Sequence, residues 1–222
     1  MPMGGGILAI VSHPDDETFG CGGTLAMHAM RGVSADVLCL TCNPRDRKNE
    51  LLGAAEALGI SEPRIFEEDN VATDRALVRR VSDAIVSLRP RVVITHLPFD
   101  YHAEHRLTHE LVKEAVEWAA HTTTYTEPCL VERLLLMEVN TLIPSPHVLV
   151  DVSEAMDRKR SAMDCYPSQL AKFPWGYYQR FNIKKAELRG VQGKCGHAEA
   201  FLEEPLARSG PFYEAKSVRS LV

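Results

Sequence analysis

Four short runs of nearly unbroken apolar character constrain this chain more than any other feature: "ILAIVS" (7–12), "ADVLCLT" (35–41), "RIFE" (64–67) and "RVVITH" (91–96). A strand that is apolar at successive positions must be covered on both faces, since successive side chains point to opposite sides of a sheet. Between the runs lie "ETFGCGGTLAMHAMRG", "RKNELLGAAEALG" and "TDRALVRRVSDAIVSLRP", whose apolar residues recur at three- and four-residue spacing, the period of a helix buried along one stripe. The first two end in glycine and the third in proline, both stop signals. Strand and helix alternating in this way predict an α/β fold, a mostly parallel sheet held between two helical layers.

The second half is less regular. A helix is expected from about 105 to 120, strands at "VERLLLMEV" (131–139) and "HVLVDVS" (147–153), and a helix over "SEAMDRKRSAMDCY"; the last fifty residues read as helical or irregular. No internal repeat or linker interrupts the chain, so residues 1–222 are expected to form a single domain. The net charge of -5 and the lack of a basic stripe argue against a nucleic-acid partner. "MPMGGGILAIV" has neither the charged region nor the apolar length of a signal peptide, and no run is long enough to span a membrane, so a cytoplasmic protein is expected. The six cysteines include no CxxC pair and are read as small core residues.

Two polar clusters break the apolar pattern, each at the carboxyl end of an expected strand. "VSHPDDETFG" (11–20) follows the first and "THLPFDYHAEHRLTH" (95–109) the fourth. In open α/β sheets that edge is where ligands bind. Pro14 keeps His13 extended, and His13 and Asp16, three apart across a turn, can converge on one point while Asp15 projects elsewhere. A helix starting near 103 would place His102, His105 and His109 roughly on one face. Two histidines and a carboxylate suit a catalytic divalent metal, and a carboxylate left free of it, such as Asp15, suits a general base. Other readings stand beside this one. Asp15 and Asp16 could be helix caps with Glu17 favouring the helix dipole, and the histidines could be ordinary core or surface residues.

At these residues the chain resembles a known family. "SHPDDETFGCGGTLA" followed by "DYHAEH" resembles the metal-dependent de-N-acetylases (PIG-L, or LmbE-like) that act on N-acetylglucosaminyl phosphatidylinositol, with relatives in mycothiol and bacillithiol synthesis; "RKNELLGAAEALGI" (47–60), "HVLVDVS" (147–153), "KRSAMDCYPSQL" (159–170) and "GHAEAF" (196–201) match further stretches in order. The resemblance implies a Rossmann-like three-layer fold with an irregular C-terminal part, and a hydrolase that removes the acetyl group from an N-acetylglucosamine-containing small molecule. It implies His13, Asp16 and His105 as ligands of Zn2+, with Asp15 as base and a protonated His102 as oxyanion partner. Fe2+ or Co2+ would suit the same donors.

The family's second motif is usually HPDH; here it is "HAEH", with Glu104 in the place of an aspartate that would support His102. Asp100 and His96 are near enough in sequence to orient ligands. Arg47, Arg133 and Tyr178 resemble substrate-contacting positions, although Arg47 could equally pair with Glu50 on a helix face. Family members often form trimers or hexamers, so a homo-oligomer is expected by resemblance. Two other functions compete: an amidase of another acyl amide or thiol conjugate, and a nucleotide-binding module. Against the latter, "GCGG" (20–23) lies inside a helical stretch, not at a strand-to-helix turn.

Overall fold

A computed structural model describes residues 5–42, 44 and 46–206, the side chain of residue 46 apart. The elements run β1 (Ile7–Val11), α1 (Asp16–Met30), β2 (Ala35–Thr41), α2 (Asp46–Leu58), β3 (Arg64–Glu68), α3 (Arg75–Leu88), β4 (Val92–Thr95), α4 (Ala103–Ala119), β5 (Arg133–Met137), β6 (Val148–Asp151), α5 (Met156–Asp164), the one-turn α6 (Pro167–Leu170), α7 (Tyr177–Gly193) and β7 (Ala198–Glu204).

One sheet takes the order β3-β2-β1-β4-β5-β7-β6. β2, β3, β4 and β5 pair in parallel around β1, while β7 is antiparallel to both neighbours. Alternate residues of β1 enter different layers. Leu8 and Ile10 pack with the apolar stripes of α3 and α4, while Ile7, Ala9 and Val11 pack with Phe19 and Leu25 of α1 and with Ile183 of α7. That double coverage is why the strand is apolar throughout. Asp74 starts α3 by accepting from the Leu77 N–H at 2.8 Å, and Arg89, in left-handed backbone just before Pro90, ends it.

The expected irregular C-terminus contains a seven-residue strand, β7, inserted between β5 and β6. "HAEAFLEE" hides it because Glu199 points into the protein. Its carboxylate accepts from the Gly23 and Thr24 N–H groups at 2.8 and 2.7 Å and from Lys159 Nζ at 2.6 Å. The contact falls where α1 is broken at Cys21 (φ −142°, ψ 17°). Lys159 and Lys185 both donate to the Phe19 carbonyl, at 3.3 and 3.1 Å, so buried charges satisfy main-chain groups around the break.

"GCGG" serves packing. A Cβ at Gly20 would meet Met137 Sδ at 2.4 Å, and one at Gly23 would meet Val152 Cβ at 2.8 Å. Cys21, Cys39, Cys42 and Cys129 are buried, and no described cysteine is in a disulfide. No described helix is long and apolar enough to cross a membrane.

Candidate active site

β1 lies between β2 and β4, so successive crossovers leave it in opposite directions and open a crevice beyond its carboxyl end. Both polar clusters meet there. Asp16, buried in the first turn of α1, is the hub. Its Oδ2 accepts from the His13 N–H at 2.8 Å and lies 3.4 Å from both His13 Nδ1 and His96 Nε2, while Oδ1 lies 3.2 Å from His105 Nε2. Asp100 stands behind His105, 3.3 Å from Nδ1, and accepts from the His102 N–H at 2.9 Å. His102 is the N-cap residue of α4, its ring 4.7 Å from His105 and 5.0 Å from His13.

His96 is held neutral from two sides. The Ser12 N–H donates to its Nε2 at 3.0 Å, and burial, reinforced by His105, pushes its pKa down to about 4. Burial works against charge on His105 too, but Asp16 and Asp100 outweigh it and raise the imidazole to about 10. Burial alone would likewise raise Asp16; His105 and His96 hold it well below the usual carboxylate range. Burial, His105 and His13 lower His102.

Asp15 is set apart from this hub. Its backbone has φ 114° and ψ −31°, and its carboxylate accepts from Arg47 Nη2 at 3.0 Å. Burial and the neighbouring Asp16 push its pKa well above the ordinary value, with Arg47 opposing. Neither aspartate makes a side-chain cap bond to α1; Asp16 is spent on the histidines. Arg47 is buried against Asp15 and the Pro14 carbonyl, while Glu50 pairs with Ser168, so the helix-face alternative for Arg47 is not what forms.

Two sequence expectations are corrected. Glu104 does not support His102: its Oε2 lies 2.5 Å from His13 Nε2, and its Oε1 accepts from the Val71 N–H at 3.0 Å. The longer side chain reaches across the mouth to the other cluster. Arg133 begins β5 at the opposite edge of the sheet, paired with Glu203 at 3.0 Å, because a residue at the amino end of a parallel strand points away from the crevice. Tyr178 does lie at the mouth. Its ring stacks on Phe19 at 5.3 Å, and its phenol, raised mainly by partial burial, also feels the charges of Asp15 and Arg47. His109 turns away, its Nε2 3.7 Å from Glu204 of β7.

Sequence reasoning missed two participants. Glu17 Oε2 accepts from the Asp15 N–H at 3.0 Å, and its Oε1 takes the hydroxyls of Thr18 and Tyr166, each at 2.5 Å. "HPDDE" displayed Glu17; nothing local displayed Tyr166, 149 residues away.

Among the described residues, two overlapping groups place three donor atoms within 4.8 Å of one another: His13, His102, His105 and Asp16, His96, His105. The buried Nδ1 of His102 has no hydrogen-bond partner among the described residues. Imidazoles crowded about one carboxylate, with a second carboxylate behind, form a donor set that fits a divalent metal.

A probable N-acetyl-alpha-D-glucosaminyl L-malate deacetylase 2 of Bacillus anthracis is 28% identical over 187 residues, 74% of this chain and 81% of that protein. A 4-oxalmesaconate hydratase of Pseudomonas putida is 25% identical over 213 residues, 84% and 80%. The crystal structure of a conserved protein of Thermus thermophilus superposes with a TM-score of 0.82 at 29% identity, covering 94% of this chain and 99% of that one. Residues 8–116, which carry β1 through most of α4 and with them both polar clusters, match the family described as PIG-L, GlcNAc-PI de-N-acetylase. Over residues 8–116 the chain carries a PIG-L (LmbE-like) de-N-acetylase domain.

Proposed function

We propose that this protein is a zinc-dependent hydrolase that removes the acetyl group from an N-acetylglucosamine-containing small molecule, the 222 residues acting as one catalytic domain. The observation that carries the reading is the separation of roles at one sheet edge: Asp16 engaged by three histidines, and Asp15, its neighbour in sequence, aimed elsewhere with a raised pKa. The deacetylase relative from Bacillus anthracis supports the bond and the amino sugar.

In this reading His13, Asp16 and His105 hold the zinc, which when bound polarises the acetyl carbonyl and lowers the pKa of water. Asp15 takes the proton of the attacking water, since a buried carboxylate with a raised pKa is the stronger base. Arg47 fixes the Asp15 carboxylate from the other side. His102 donates its N–H to the oxygen on which charge develops, an interaction whose loss typically costs ~100–1,000-fold in rate. The proton held on Asp15 then passes to the departing amine. Asp100 orients His105, and Glu104 holds His13 from the side away from Asp16.

The test is acetate release by zinc-loaded protein from a panel of N-acetylglucosamine conjugates, with Asp15→Asn in parallel. Release by wild type and not by the variant is expected. The Pseudomonas putida relative supports a second reading, hydration of an unsaturated acid, for which the same base would activate water. No acetate from any conjugate, together with loss of ultraviolet absorbance from an unsaturated polycarboxylic acid, would replace the first reading by the second.

A further inference from the structure

A chain of aromatic rings leads from the site to the surface. It begins at Phe19, buried one turn beyond Asp15 and Asp16, whose ring lies parallel to Tyr178 at 5.3 Å and within 10°. Tyr178 meets Phe173 at 5.5 Å and Tyr177 at 5.4 Å, and those two meet each other at 5.3 Å. Phe173 and Tyr177 are 49% and 48% exposed. Across the mouth Tyr101, 71% exposed, stands edge-on to His102 at 6.3 Å. Both walls flank the same polar cluster: Tyr101 adjoins His102, and Phe19 lies three residues beyond Asp16 on α1.

This surface is not incidental. Five of the nine residues at 173–181 are aromatic, against 7% over the chain, so the rings are concentrated beside the crevice. Leaving large rings half in water forgoes part of the stabilisation that burial would supply. A contiguous exposed apolar patch of this kind marks a contact surface. The occupant follows from continuity and chemistry. The patch continues directly from the residues proposed to handle the acetamide, so it faces whatever the N-acetylated sugar is attached to. Its rings are mostly tyrosines, which offer an apolar face and a hydroxyl together. A pyranose has the matching surface, one face of C–H groups edged by hydroxyls.

We propose that Tyr101 on one wall and Phe173, Tyr177 and Tyr178 on the other form a subsite for a second sugar ring, so that the preferred substrate is an N-acetylglucosaminyl glycoside whose aglycone is itself a pyranose. The inference rests on the deacetylase reading above. It is tested on the zinc-loaded full-length protein by comparing kcat/KM for an N-acetylglucosamine disaccharide, the monosaccharide, the malyl glycoside and the phenyl glycoside. One stacked ring predicts a disaccharide advantage over the monosaccharide of about tenfold, falling toward unity in Tyr177→Ala and in Tyr101→Ala.

A ratio near one in wild type, or a ratio unmoved in both variants, overturns the proposal. So does a phenyl glycoside that gains as much as the disaccharide, which would assign the ledge to flat apolar aglycones. Sedimentation showing wild-type dimers that Tyr177→Ala dissociates would make the ledge an interface between copies and equally overturn it. If no conjugate releases acetate, the deacetylase reading fails, and calorimetry with the de-N-acetylated disaccharide and monosaccharide decides the subsite: tighter disaccharide binding lost in Tyr177→Ala supports it, equal binding overturns it.

Discussion

The main-chain N–H of Asp15 donates to the carboxylate of Glu17 at 3.0 Å, and it does so with Asp15 at φ 114°, a conformation that side-chain-bearing residues rarely adopt. Such a backbone costs ~1–3 kcal/mol and persists only where the surroundings hold it. Glu17 is buried and fixed at its far oxygen by Tyr166 and Thr18, so the brace on the proposed base runs from α1 to a residue just before α6. Glu17→Ala is expected to release the turn and lower kcat by ~10–100-fold, the factor that corresponds to that strain. Zinc stoichiometry should be retained. Tyr166→Phe should act in the same direction and more weakly, and it should cost ~1–3 kcal/mol of stability by leaving a buried carboxylate short of a donor. Steady-state kinetics, metal analysis and urea unfolding check this; wild-type kcat in Glu17→Ala would show that Asp15 needs no brace.

The two adjacent aspartates should fail in different ways. Asp15→Asn is expected to bind metal normally and to lose ~100–10,000-fold in rate, the usual contribution of a positioned acid or base. Asp16→Asn should lose the metal itself, because Asp16 is what His13, His96 and His105 share. Metal content and acetate release measured on both variants separate the outcomes, and equal metal loss in both would merge the roles.

Behind the proposed ligands, Asp100→Ala should weaken zinc affinity by ~10–100-fold through disorientation of His105, and Glu104→Ala should weaken it through His13. Wild-type protein should also lose thermal stability when the metal is chelated, since a ligand bound only by the folded state stabilises it by mass action. Competition with a chromogenic chelator and melting with and without chelator report these effects. Undiminished affinity in both variants would show that neither carboxylate supports the metal.

Lys185 predicts a pH dependence outside the hub. Burial, then Lys159, depress its pKa from 10.5 to about 7; Glu138 and Glu199 oppose the shift and Arg189 adds to it. Between those two values the unfolded chain binds the proton that the folded chain has given up, so this group's contribution makes stability rise with pH across that window. Below about pH 7 its penalty is present in full. Relative to Lys185→Met, wild type should therefore gain stability as pH rises from about 7 toward about 10. Urea unfolding of both proteins across that range reads the difference, and a flat difference would mean that the ammonium is not held down.

Arg133 supplies a negative expectation. Its partly exposed pair with Glu203 lies at the sheet edge away from the crevice, so Arg133→Ala should leave kcat/KM unchanged and cost at most ~1 kcal/mol. A marked fall in activity with stability intact would contradict that placement.

What the sequence determined by itself is what neighbouring residues decide. The apolar runs set β1, β2, β3 and β4, the helical spacing set the helices between them, and His13-Pro14-Asp15-Asp16 marked a polar turn at a strand end, because backbone preference and side-chain period act over a few residues. Tertiary structure decided the rest. β7 stayed hidden because its buried Glu199 becomes acceptable only when the broken α1 and Lys159 supply donors. Glu104 meets His13 across 91 residues, and Tyr166 meets Glu17 across 149. Arg133 lost its expected place because strand direction, not residue type, decides which end of the sheet a side chain reaches. Pairings of that range leave no periodic trace in the chain; they exist only once the sheet order has brought the two crossovers to one crevice.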